Sequence, residues 1–139
     1  MTASSTASGY SGTPLAKKLG VKPGHRVVFR HRPRGWTIPD LPEDVTVGDR
    51  GSREADVTLA FYRTHRDLSA DAERLVEHLA DRSMLWIAWP RKAAGHTSDI
   101  DGNGLRDLFL PLGIVDVKVA QLDEDWSGLK FVRRVENRA

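Results

Sequence analysis

Asp56-Val57-Thr58-Leu59-Ala60-Phe61-Tyr62 and Met84-Leu85-Trp86-Ile87-Ala88-Trp89 are the two apolar runs that decide the fold. Both are nearly continuous rather than alternating, the pattern of a strand covered on both faces in a parallel sheet. Between them Leu68, Ala72, Leu75, Val76 and Leu79 recur at helical spacing, which predicts an amphipathic helix over about Ser69 to Asp81. A parallel pair needs a crossover of this length, so the stretch reads as one βαβ unit.

Towards the N-terminus, Pro23-Gly24 turns the chain into a strand over about His25 to Arg30. Before it, Thr13 to Gly20 predicts a short helix, with Thr13 as N-cap, Pro14 in the first position and Gly20 as the left-handed residue after the end. Arg30 to Asp44 holds Pro33, Pro39 and Pro42 and is not a full helix. Val45-Thr46-Val47 is a short strand, and Asp49 to Glu54 a polar turn.

Towards the C-terminus, Pro90 to Gly104 is a loop, and Leu105 to Leu110 a short helix closed by Pro111 and Gly113. Ile114 to Leu122 and Leu129 to Val135 follow as two antiparallel strands joined by the turn Asp123 to Gly128. The expected architecture is α/β: a reduced, Rossmann-like three-layer sandwich with a mainly parallel sheet and two antiparallel C-terminal strands. Residues 1–9 read as a disordered tail, and 10–139 as a single domain.

At 139 residues, 40% hydrophobic and 29% charged, the chain suits one globular domain with a real core. It has no cysteine, which excludes disulfides, thiolate nucleophiles and cysteine-based metal sites. No apolar run approaches the roughly 20 residues that cross a bilayer. Met1 to Gly9 has neither a basic nor an apolar signal region, so a cytoplasmic location is expected, without membrane contact. The formal net charge is only +2, so electrostatics must rest on where the charges sit.

They sit at strand ends. The first strand runs into Arg30-His31-Arg32-Pro33-Arg34, the second long run into Arg63-Thr64-His65-Arg66, and the third into Pro90-Arg91-Lys92. In a parallel sheet these clusters share the carboxyl edge, where open α/β sheets bind ligands. Arg30, Arg32, Arg63, Arg91 and Lys92 would then converge on phosphate or carboxylate, with His31, His65, Trp89 and Trp126 beside them. The plainer reading is that these are solvated loop cations. Trp36, Trp89 and Trp126 could stack a base, although tryptophans more commonly seal loops over a core, as Trp86 does within its strand.

Other motifs carry less. Asp99-Ile100-Asp101-Gly102-Asn103-Gly104 matches half a calcium loop, but the twelfth position is Leu110 instead of glutamate. It reads better as a loop capping the next helix, with Asn103 as N-cap. His25, His31, His65, His78 and His96 show no metal spacing. His31 or His65 could serve as general acid or base, yet no nucleophile pairs with either. Lys17-Lys18 is a solvated helix face that could also reach the sheet edge.

Tyr10-Ser11-Gly12-Thr13-Pro14-Leu15-Ala16-Lys17-Lys18-Leu19-Gly20, Trp86-Ile87-Ala88-Trp89-Pro90-Arg91-Lys92 and Trp126-Ser127-Gly128-Leu129-Lys130 resemble a family of short bacterial proteins catalogued as a domain of unknown function. The resemblance implies a fold and no activity. The βα order also resembles a reduced class I methyltransferase fold. A site of that kind wants a glycine-rich turn after the first strand, and this chain has Arg30 to Trp36 there. Asp49 lies near where a ribose-binding acid would sit. The sequence therefore points first to a small binding or regulatory module without cofactor or metal. Its basic edge would take an anionic small molecule or an acidic protein partner. The alternatives are a degenerate adenosylmethionine- or nucleotide-dependent transferase and a nucleic-acid-binding protein.

Overall fold

A computed structural model describes residues 13–50 and 54–137; the expected tail and Tyr10-Ser11-Gly12 lie outside the described residues. Six strands form one sheet: β1 (Arg26–Arg30), β2 (Thr46–Gly48), β3 (Val57–Phe61), β4 (Met84–Pro90), β5 (Ile114–Gln121) and β6 (Trp126–Arg133). Their order across the sheet is β2-β1-β3-β4-β6-β5. β2, β1, β3 and β4 pair in parallel, while β6 pairs antiparallel with both β4 and β5. The two C-terminal strands are thus antiparallel to each other, but only β6 runs against the rest. The chain passes along β5 at the edge and returns between β5 and β4. Asp123 Oδ1 fixes that return by accepting from the backbone N–H of Asp125 and Trp126, both at 2.8 Å.

Alternate residues of the buried strands serve opposite faces, as the pleat requires. On one face Ala60, Leu85, Ile87, Leu129 and Phe131 pack against α2 (His65–Glu77) and α3 (Gly102–Phe109). On the other, Val27, Phe29, Leu59, Phe61 and Trp86 pack against α1 (Leu15–Leu19) and the proline-rich segment after β1, which contributes Trp36, Ile38 and Leu41. Proline excludes a helix from that segment, so irregular chain covers the face.

Element ends differ from the sequence reading for local reasons. α1 is capped at Pro14, not Thr13, because Pro14 is itself extended (ψ 143°). Gly20 ends it in the left-handed conformation (φ 83°), as its sequence context predicts. α2 begins four residues before Ser69 and ends before Asp81: Thr64 Oγ1 accepts from Asp67 N–H at 3.2 Å and sets the first turn at His65. In α3 the cap is Asp101, not Asn103, with Oδ1 accepting from Gly104 N–H at 2.8 Å. Asp99 accepts from His65 N–H at 2.7 Å. The half calcium loop is used for capping, and the described residues contain no group of side chains able to hold a metal ion. No helix among them is long and apolar enough to cross a membrane.

Gly128 in the middle of β6 permits a close approach. A Cβ there would lie 3.0 Å from Leu122 Cδ1 and 3.0 Å from Trp86 Cε3. Gly128→Ala is therefore expected to cost about 1–2 kcal/mol by overpacking, read as a lower urea midpoint at unchanged slope. An unchanged midpoint would show that Leu122 gives way freely.

Candidate functional site

β1 connects to β2 on one side of the sheet, and the chain then crosses over to β3 on the other. The carboxyl ends of β1 and β3 therefore flank the topological switch point, where a crevice opens between diverging connections. A crevice of about 400 Å³ lies there, lined by His31 and Pro33 after β1, by Phe61, Tyr62 and Arg63 at the end of β3, by Asp67 and Asp71 of α2, and by Trp126.

Its walls are aromatic on one side. Phe61 meets the Trp126 ring edge-on, with centroids 5.0 Å apart, and Trp36 at 4.9 Å. The Arg63 guanidinium lies 5.0 Å from the Trp126 ring centroid, a cation–π contact that holds it at the rim.

The opposite wall is polar and tightly bonded. Asp71 sits two turns into α2, so its carboxylate faces back to the ends of β1 and β3. Asp71 Oδ2 accepts from the Tyr62 hydroxyl at 2.7 Å and meets His31 Nε2 at 3.2 Å. Arg74, one helical turn on, donates to Oδ1. Burial works to raise the Asp71 pKa, but the hydrogen bonds from Tyr62, His31 and Arg74 and the charge of Arg74 outweigh it and hold the carboxyl below its ordinary range. Tyr62 goes the other way. Burial first, then its hydrogen bond to Asp71 and that carboxylate's charge, push the phenol far above its usual value.

His31 completes the turn after β1 with a positive φ of 56°. Glycine is the default residue for that conformation, and a histidine there carries a strain of roughly 1–2 kcal/mol. The Asp71 contact and the edge of Tyr62, 5.2 Å between ring centroids, hold it in place.

Of the residues singled out in the sequence, His31, Arg63 and Trp126 meet at this crevice. Arg30 and His31 also line a smaller recess on the far side of Asp71. Most of the others turn to partners within the fold. Arg32 donates to Asp49 Oδ2 at 2.7 Å and lies over the Phe29 ring at 4.6 Å. Arg91 donates to the Glu124 carbonyl at 2.6 Å. His65, in the first turn of α2, pairs with Ser69 Oγ at 3.1 Å. Trp89 packs partly buried against the α2–α3 side of the core, and Lys92 opens an exposed 3₁₀ turn. Trp36 Nε1 donates to Asp123 at 2.8 Å. Lys18 does reach a strand end, donating to the Gln121 carbonyl of β5 at 3.0 Å.

Phe61, Tyr62, Asp67 and Asp71 are lining residues that the sequence did not single out. Tyr62 reads as the last apolar residue of its strand, and the two aspartates lie off the apolar stripe of the helix. The one available signal was the early cap at Thr64, which would have carried α2 back to the crevice.

No family model matches the chain, and no curated protein matches it either. Solved structures do. It is similar to a TehB-like SAM-dependent methyltransferase from Corynebacterium glutamicum, with TM-score 0.56 and 9% identity over 91% of this chain and 90% of that one. It is similar to Aeropyrum pernix fibrillarin in complex with S-adenosyl-L-methionine, with TM-score 0.52 and 16% identity over 85% and 73%. A SAM-dependent methyltransferase from Aquifex aeolicus follows, with TM-score 0.50 and 11% identity over 84% and 86%. At these identities the likeness is one of fold: the chain has the Rossmann-like architecture of the SAM-dependent methyltransferases.

Proposed function

We propose that this chain is a degenerate methyltransferase-fold domain that binds a nucleoside-type ligand in the crevice between β1 and β3. The observation that carries this reading is the crevice itself. It opens at the switch point of the sheet, and its volume of about 400 Å³ lies within the range of small-molecule sites. The Phe61–Trp126 wall suits a planar base. Asp67, His31 and the Tyr62 hydroxyl supply hydrogen-bonding groups for ring nitrogens and ribose hydroxyls.

Adenosylmethionine held in the usual manner of this architecture does not fit. Backbone cannot approach a ligand through the bulky side chains of Arg30, His31, Arg32, Pro33 and Arg34, and the acid after β2, Asp49, is bridged to Arg32 at 2.7 Å. No methyl transfer is assigned to the site, and the chain reads as a binding domain on a transferase scaffold. The same reading takes residues 10–139 as one domain and treats the three sequence motifs as marking a small bacterial family. The basic edge supports it only in part, because Arg32 and Arg91 are engaged inside the fold.

Isothermal titration calorimetry with adenosine, adenosylmethionine and its demethylated product tests the reading. Adenosine is expected to bind, and Asp67→Asn to weaken it about 5- to 10-fold, because asparagine keeps an acceptor oxygen but loses the charge that strengthens the bond. Heat from none of the three at millimolar concentration, with folded protein, would overturn it.

A further inference from the structure

We infer that the recess behind the His31–Asp71 contact is a subsite for a phosphate group, so that the ligand is a nucleotide rather than a bare nucleoside. The recess, of about 290 Å³, is lined by Arg30, His31, Tyr62, Asp71, Arg74, Leu75 and His78. It shares His31, Tyr62 and Asp71 with the crevice, so the two adjoin across these side chains and a nucleotide would span both by passing round them.

Charge in the recess is unbalanced. Arg30 and Arg74 face a single carboxylate, Asp71, and both oxygens of that carboxylate are already occupied by Tyr62, His31 and Arg74. Arg30 is left over. Its Nε is buried and has no hydrogen-bond partner among the described residues. That atom is itself shut off from the recess, so a ligand there would be met by the rest of the Arg30 side chain that lines it, whose planar fork suits phosphate oxygens. Arg74 is mostly exposed and brings a second fork to the mouth, and His78 adds an imidazole at the end of α2. Arg134 Nε is likewise buried without a partner, but Arg134 lines neither cavity. Of these two arginines among the described residues, Arg30 is the one that lines the recess.

The placement of base and sugar rests on the function proposed above, whereas the phosphate subsite stands on the recess alone. Calorimetric titration with inorganic phosphate, adenosine and adenosine monophosphate separates the two. The monophosphate is expected to bind at least about tenfold more tightly than adenosine, the worth of a charge-assisted pair of hydrogen bonds. Inorganic phosphate is expected to compete with it. Arg74→Gln, at an exposed position that leaves the core untouched, and Arg30→Gln should each bring the ratio of the two affinities towards one. Equal affinities for adenosine and its monophosphate in the wild type would overturn the subsite and leave the crevice reading standing. Phosphate binding lost in Arg30→Gln, with no adenosine binding in any variant, would support the subsite and overturn the crevice reading. Silence towards both phosphate and the monophosphate would overturn the subsite outright.

Discussion

Trp86→Ala is expected to destabilise the fold by about 3–5 kcal/mol, a large share of the roughly 5–15 kcal/mol that a domain of this size has. Trp86 is fully buried in β4 on the α1 side of the sheet. Its Nε1 donates to the Leu19 carbonyl at 3.0 Å, tying the end of α1 to the sheet centre. Its ring is the surface against which Gly128 makes room, and Lys130 Nζ lies 5.9 Å from its centroid. One side chain thus joins all three motifs of the chain, the first through Leu19, the second through itself and the third through Gly128 and Lys130. Alanine would leave a cavity, an unpaired carbonyl and a helix of five residues without its anchor. Such a helix is too short to persist alone. In urea denaturation followed by circular dichroism, the variant should unfold at a much lower midpoint, with a melting temperature down by about 10–20 °C. Trp86→Phe keeps most of the volume but leaves the Leu19 carbonyl unpaired, for about 1–3 kcal/mol. A loss below about 1.5 kcal/mol for Trp86→Ala would show that the α1 side of the core is not held by this residue.

The parallel half of the sheet was legible because its signal is local. Val57–Phe61 and Met84–Pro90 are almost wholly apolar because both faces are covered, and α2 shows its apolar stripe. Its start was hidden, since His65, Arg66 and Asp67 precede the stripe and the cap at Thr64 acts through one hydroxyl, and the helix stops at Glu77, short of Asp81. The order of the C-terminal hairpin is a tertiary matter. Pattern shows that two strands pair, but which one lies beside β4 depends on burial. The structure decides it: Trp126, Leu129 and Phe131 of β6 are buried, whereas Val117, Lys118 and Val119 of β5 are exposed, as an edge permits.

The site was legible in outline only. Strand ends mark the edge of the sheet, and so Arg30, His31, Arg63 and Trp126 stood out. Which cations remain available is decided by partners that sequence does not reveal: Asp49 for Arg32, the Glu124 carbonyl for Arg91 and the Trp126 ring for Arg63. The centre of the polar wall, Asp71, lies in sequence off the apolar stripe of the helix. It becomes central because the turn after β1 and the end of β3 both reach the second turn of α2.

That wall has a measurable signature in alkali. The Tyr62 phenol is buried beside an ionised carboxylate, and both effects raise its pKa far above the usual value near 10. The folded protein therefore keeps a proton on Tyr62 that the unfolded chain releases. Wherever the unfolded state binds fewer protons, stability falls as pH rises, so the contribution of Tyr62 is fully present below about pH 10 and is lost above it. The loss should run at about 1.4 kcal/mol per pH unit, reaching about 2–3 kcal/mol near pH 12. Lysines titrate in the same range, and Tyr62→Phe isolates the phenol from them. At pH 8 the variant should be less stable than the wild type by about 1–2 kcal/mol, having lost the hydrogen bond to Asp71. As pH rises past 10 that gap should close and then reverse, because phenylalanine has no proton to lose. Urea denaturation of both proteins at intervals between pH 8 and 12 reads the difference directly. Parallel stability curves over that range would mean that Tyr62 ionises as freely in the folded protein as in the unfolded chain, and the bonded wall of Tyr62, Asp71 and His31 would then have to be abandoned.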